Sequence, residues 1–227
     1  MRTPDATTSF SRRWLPLFAA AALVLSAGTS RAAVVLTIQS VSAAAGSTGD
    51  TLDVTLLNTG PASITVGSFS FEITIASANI QFTDATTATV LASYIFNIGG
   101  SHSAFGPSIA TNTPLAPGAP LDASDNYSPF GSGQLVASSG TVGLGHIVFN
   151  VAPATAPGPY TVSFNTDPAF TSLSNASGTG TFPITTFNSG VITVTGATAV
   201  PEPSPLVLAG VALLAGLGYR RVRRTQA

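Results

Sequence analysis

A period-two alternation of apolar and polar residues runs through the middle of this 227-residue chain and restricts its fold more than any other feature. It is clearest where Phe69, Phe71, Ile73 and Ile75 interleave with Ser68, Ser70, Glu72 and Thr74. Successive side chains of a strand point to opposite faces, so the pattern predicts an antiparallel strand with one buried and one solvated face. The same alternation recurs in Leu52, Val54 and Leu56; in Ile147, Phe149 and Val151; and in Tyr160, Val162 and Phe164, with further strands near 34–41 and 191–195. No stretch between 34 and 195 carries a helical period. Glycine and proline mark the joins, and the spacing predicts an all-β domain over 33–196, built as an antiparallel β-sandwich.

One segment breaks the rhythm. Residues 99–133 are rich in proline, serine and glycine and show little strand pattern, so they are predicted to form a long loop. Loops of that length in a compact domain usually carry function or mobility.

Charge narrows the possible partners. The chain has eight arginines, at 2, 12, 13, 31, 220, 221, 223 and 224, and no lysine. Between Ala32 and Tyr219 the only formal charges are acidic: Asp50, Asp53, Glu72, Asp84, Asp122, Asp125, Asp167 and Glu202. Each of these carboxylates therefore needs solvent, a hydrogen-bond donor or a foreign cation, because a buried unpaired charge is costly. Nucleic acid is excluded as a partner on the same ground, since no Lys or Arg is present there to displace phosphate counterions. Cysteine is absent, which rules out thiol nucleophiles, thiolate zinc sites and disulfides.

The two ends read differently from the middle. Arg12 and Arg13 precede an apolar run from Trp14 to Leu25, followed by small residues up to Ala32. This predicts a secretory signal peptide over 1–32, helical in the membrane and cleaved after Ala32. At the other end, Pro201-Glu202-Pro203 is followed by an apolar stretch over 205–219 and by Arg220, Arg221, Arg223 and Arg224. Fifteen helical residues span only about 22 Å against a hydrocarbon core of about 30 Å, so the stretch predicts a short transmembrane helix that anchors marginally. Its arginines place that end in the cytoplasm by the positive-inside rule, leaving the domain across the inner membrane.

Residues 200–224 resemble the PEP-CTERM sorting tail of Gram-negative bacteria that produce exopolysaccharide. That resemblance implies an exosortase-type membrane protease as a partner, recognition through Pro201, Glu202 and Pro203, and removal of the tail. The membrane association through 205–219 would then be transient, and the processed protein would lie at the cell surface or outside the cell.

The order of pieces within 34–195 resembles a cohesin-like module, a jelly-roll sandwich related to carbohydrate-binding modules. The residues that carry this are Gly49-Asp50-Thr51-Leu52-Asp53-Val54, then Val66 to Ile73, Gly140-Thr141-Val142, Ile147 to Val151, Gly158 to Val162 and Gly190 to Val194. Ala76-Ser77-Ala78 departs from that pattern, standing where a Tyr-Asp pair is expected. Cohesins bind dockerin modules and their relatives bind glycans, so the resemblance implies a protein or a glycan ligand.

No catalytic constellation is evident. There is no G-x-S-x-G elbow, phosphate-binding glycine loop or H-E-x-x-H helix, and the chain is expected not to be an enzyme. His102 and His146 read as isolated imidazoles, His102 in the long loop and His146 on the polar face of a strand. Asp122, Asp125 and Asn126 crowd oxygen ligands into the loop and form a weak calcium candidate, with Asp50 and Asp53 a second close pair. Phe105, Tyr127 and Phe130 in the same loop either stack on sugar rings or fold back as hydrophobic plugs. The expected roles, in order, are a structural or adhesive component associated with exopolysaccharide, a glycan-binding module, and a cohesin-like receptor for another protein.

Overall fold

The computed structural model describes residues 33–96, 102–106 and 109–196. The expected signal peptide with its cleavage point at Ala32, and the sorting tail over 200–227, lie outside the described residues. Thirteen strands are found among those described: β1 Val34–Ile38, β2 Val41–Ala44, β3 Asp50–Asn58, β4 Ile64–Ile75, β5 Ile80–Thr86, β6 Ala110–Thr111, β7 Leu121–Asn126, β8 Gln134–Val136, β9 Thr141–Val151, β10 Gly158–Phe164, β11 Ser172–Asn175, β12 Ile184–Asn188 and β13 Gly190–Thr195.

They form two packed sheets. One has five strands in the order β12-β1-β3-β9-β5. The other has eight, with β2-β13-β10-β4-β7-β6 in line and β8 and β11 also paired to β4. Pairing is antiparallel except where β1 meets β12 and β2 meets β13. The strands expected near 34–41 and 191–195 are present, the first region contributing β1 to one sheet and β2 to the other and the second forming β13.

The period-two pattern sets which side of each sheet faces inward. Phe69, Phe71 and Ile73 of β4, Leu52, Val54 and Leu56 of β3, and Ile147 and Phe149 of β9 are all at most 2 % exposed. Each fully buried side chain of this size contributes about 1.5–3 kcal/mol relative to exposure, which holds the two sheets together in a chain without cysteine.

The expectation of a loop from 99 to 133 needs correction. β6, β7 and the turn into β8 fall inside it, and β7 is the central neighbour of β4, paired from Ser68↔Asn126 to Ile73↔Leu121. β7 escaped the sequence pattern because its inward positions hold Leu121, Ala123 and Asp125, and only the first is a large apolar residue.

Candidate functional site

Cross-strand register builds the site. On the outer face of the eight-stranded sheet, Ser68 of β4 lies between Asn126 and Ser174, and Ser70 lies between Ser124 and Ser172. The Ser70 and Ser172 hydroxyls are 3.0 Å apart and hydrogen bonded. The next rung sets Glu72 directly opposite Asp122. The result is a face of hydroxyls, amides and carboxylates spread over three strands, with no Lys or Arg among the described residues.

The carboxylate rung is the electrostatic centre of that face. Glu72 is only 9 % exposed although it points outward, because the turn between β10 and β11 covers it. From that turn the Asn165 side-chain amide donates to Glu72 Oε1 at 2.6 Å, and the Glu72 backbone N–H donates to Thr171 Oγ1 at 3.2 Å. Across the sheet, Asn112 Nδ2 donates to Asp122 Oδ2 at 3.0 Å, and the Asp122 N–H donates to Asn112 Oδ1 at 3.0 Å. Partial burial, a hydrogen bond to Glu72 and the Glu72 charge push the Asp122 carboxyl above its ordinary pKa. A shallow depression of about 370 Å³ opens beside the rung, lined by Ser70, Thr111, Asn112, Asp122, Ser124 and Phe170 among others. Phe170, 46 % exposed, forms an apolar rim.

The calcium constellation is not brought together. Asp122 and Asn126 face outward from β7, whereas Asp125 points into the core with no exposed surface. Residues three apart on a strand lie on opposite faces, so Asp122 and Asp125 cannot share a cation. Asp125 instead accepts the Tyr94 hydroxyl at 2.6 Å and the Asn126 N–H at 2.7 Å. Burial first, then the bond to Asp125 and its charge, raise the Tyr94 pKa far above the phenol range and keep it a donor.

The second acidic pair is likewise separated. Asp50 takes the Ser47 hydroxyl near the start of β3. Asp53, 1 % exposed on the outer face of the five-stranded sheet, accepts the Val90 and Leu91 N–H groups, both at 2.6 Å. Its other oxygen lies 2.6 Å from His146 Nδ1. His146 is therefore not isolated: the β3–β9 register places it directly opposite Asp53. The pair clamps the 87–91 segment across the sheet, and Val90 and Leu91 end up 79 % and 58 % exposed.

The three loop aromatics divide. Tyr127 folds back, edge-on to Phe96 at 5.8 Å between ring centroids and stacked on His102 at 4.7 Å. Phe105 and Phe130 stay outside, 47 % and 86 % exposed. The Glu72–Asp122 rung escaped sequence reasoning because its members are fifty positions apart and only register opposes them. A possible signal was the outward position of Glu72 in the clearest strand of the chain.

Chemically the face can bind but lacks the parts for acyl transfer. Its serines have no imidazole on the same face to activate them, because His146 belongs to the other sheet and His102 stacks on Tyr127.

Solved structures share this architecture. The seventh ScaB type I cohesin from Pseudobacteroides cellulosolvens aligns with TM-score 0.52 and 18 % identity over 74 % of this chain and 96 % of its own. The cohesin CaCohA2 from Clostridium acetobutylicum aligns at 0.53 and 18 %, covering 75 % and 95 %. The domain has a cohesin-like fold. The sixth cohesin of scaffoldin B from Acetivibrio cellulolyticus, solved in complex with the Cel5 dockerin, aligns at 0.52 and 15 % over 72 % of this chain and 99 % of its own. No family model matches the sequence, and no curated protein matches it. At these identities the cohesin-like likeness is one of fold.

Proposed function

We propose that this cohesin-like domain is a non-catalytic receptor module that engages a partner protein through the outer face of its eight-stranded sheet. The observation that carries the reading is the fold, since cohesins that align over nearly their whole length are solved as complexes with dockerins. Support comes also from the face itself, where the depression and exposed Phe170 lie beside polar rungs. The protein-receptor reading, placed last on sequence grounds, now ranks first.

The test is retention of one discrete protein from the source organism's secreted fraction by immobilised full-length chain. Ser124→Trp, which obstructs the face, should abolish retention, while Thr55→Trp on the five-stranded sheet should leave it intact. Equal retention by both variants defeats the reading.

Delivery follows the terminal segments. The chain is exported by its signal peptide, and an exosortase-type protease acts at Pro201-Glu202-Pro203 to leave the domain at the cell surface or free outside. N-terminal sequencing of the secreted form should begin at Ala33, and a Pro201→Ala, Glu202→Ala double variant should retain the tail.

A second reading, association with exopolysaccharide, is favoured by the exposed rings of Phe105 and Phe130. Loss of polysaccharide binding on Phe105→Ala and Phe130→Ala, with partner retention unchanged, would support it.

A further inference from the structure

Building on the receptor reading, we infer that the face accepts a protein segment presenting one Lys or Arg beside an apolar side chain, and that the cation sits on the Glu72–Asp122 rung. The depression and the exposed Phe170 ring accept the apolar neighbour, and the carboxylates complement the cation in charge. Like charges directly opposite across antiparallel strands oppose each other. Here no internal cation relieves them, because Lys and Arg are absent from the described residues. In the free domain partial burial and the neighbouring Glu72 hold the Asp122 carboxyl above its ordinary pKa.

The neutral donors nearby do not replace a cation. Asn165 serves Glu72 and Asn112 serves Asp122, each holding one carboxyl in place and leaving the net charge unchanged. The elements packed around the rung contribute one other titratable group, Asp167, in the turn that carries Asn165; it is acidic too, and its carboxylate accepts the Ala169 N–H. An arriving guanidinium or ammonium group therefore meets only negative or neutral neighbours. It favours the ionised form of Asp122, so binding releases the proton that this carboxyl holds, and affinity rises with pH as that group deprotonates. The linkage is reciprocal: a cation that favours the ionised pair is itself bound more tightly by it.

The probe is a displayed random-peptide library panned on the immobilised full-length chain, with counter-selection on the Ser124→Trp variant. Recovered peptides should carry Lys or Arg next to an apolar residue. They should lose at least tenfold in affinity on Glu72→Gln, Asp122→Asn, and weaken as pH falls from 7.5 to 4.5 on the wild type only. Titration calorimetry in two buffers of different ionisation heat should show proton release with the wild type and none with the double variant. Removing the repulsion should leave the variant at least as stable as the wild type, so unfolding does not account for the loss.

Face-dependent binders that lack a basic residue, or that bind the double variant equally well, overturn this inference and leave the receptor reading standing. No face-dependent binder at all counts against both. A rise in melting temperature with calcium alone, lost in the double variant, makes the rung a metal site and also overturns it.

Discussion

Tyr94 donates to the buried Asp125 carboxylate from across the core, and among the described residues the one other donor to that carboxylate is the Asn126 N–H. Removing one partner of a buried charge costs more than the bond contributes, because the charge is left unsatisfied. Tyr94→Phe should therefore destabilise the domain by about 2–4 kcal/mol in urea unfolding, more than the ring's unchanged packing suggests. Asp122 behaves in the opposite sense. Its folded pKa lies above the ordinary carboxylate value, so between the unfolded and folded values the folded state holds more protons. Stability from this group falls as pH rises through that window and is recovered as pH drops through it. Asp122→Asn should remove this component, raising the melting temperature at pH 7 relative to the wild type and closing the gap near pH 4.

β4 is the element on which the eight-stranded sheet depends. Its twelve residues pair with β7 and β8 on one edge and with β10 and β11 on the other. At Gly67 the β11 edge comes so close that an added Cβ would lie 2.5 Å from the Asn175 carbonyl oxygen, a backbone atom that cannot rotate away. Gly67→Ala should thus push β11 from β4, cost about 1–3 kcal/mol, and expose residues 166–183 to limited proteolysis. The 87–91 segment is held in a different way, by Asp53 and by Thr89 lying against Gly143. Asp53→Ala frees two N–H groups and His146 together. It should speed amide exchange at Val90 and Leu91 by at least tenfold while leaving β4 protected.

Over the whole molecule the chain enters beside Thr59, whose N–H donates to the Ala33 carbonyl, and leaves beside Ala45, whose N–H donates to the Thr195 carbonyl. Because β1 runs parallel to β12 and β2 parallel to β13, both end segments traverse the sandwich in the same direction. Entry and exit therefore lie at opposite poles, and the binding face runs along the side between them. Cohesion rests on the shared apolar core, since cysteine is absent and the described residues hold no cluster of three or more metal-binding side chains. Treatment with reductant or chelator should leave the melting temperature of the domain unchanged.

The sandwich was legible in the sequence wherever inward positions are large and apolar, as in β3, β4, β9 and β10, because burial imposes period two on any strand with one solvated face. The cation-free middle was equally plain, since charge can be counted without coordinates. Tertiary structure alone decided the rest. β7 is a strand, not the loop expected there, because β4 and the core above it accept Ala123 and a Tyr-bonded Asp125 at its inward positions. Asp53 with His146, and Glu72 with Asp122, are pairs created by register between segments far apart in the chain. Local pattern records which face a residue takes; which distant residue it meets there is settled only when the strands pair.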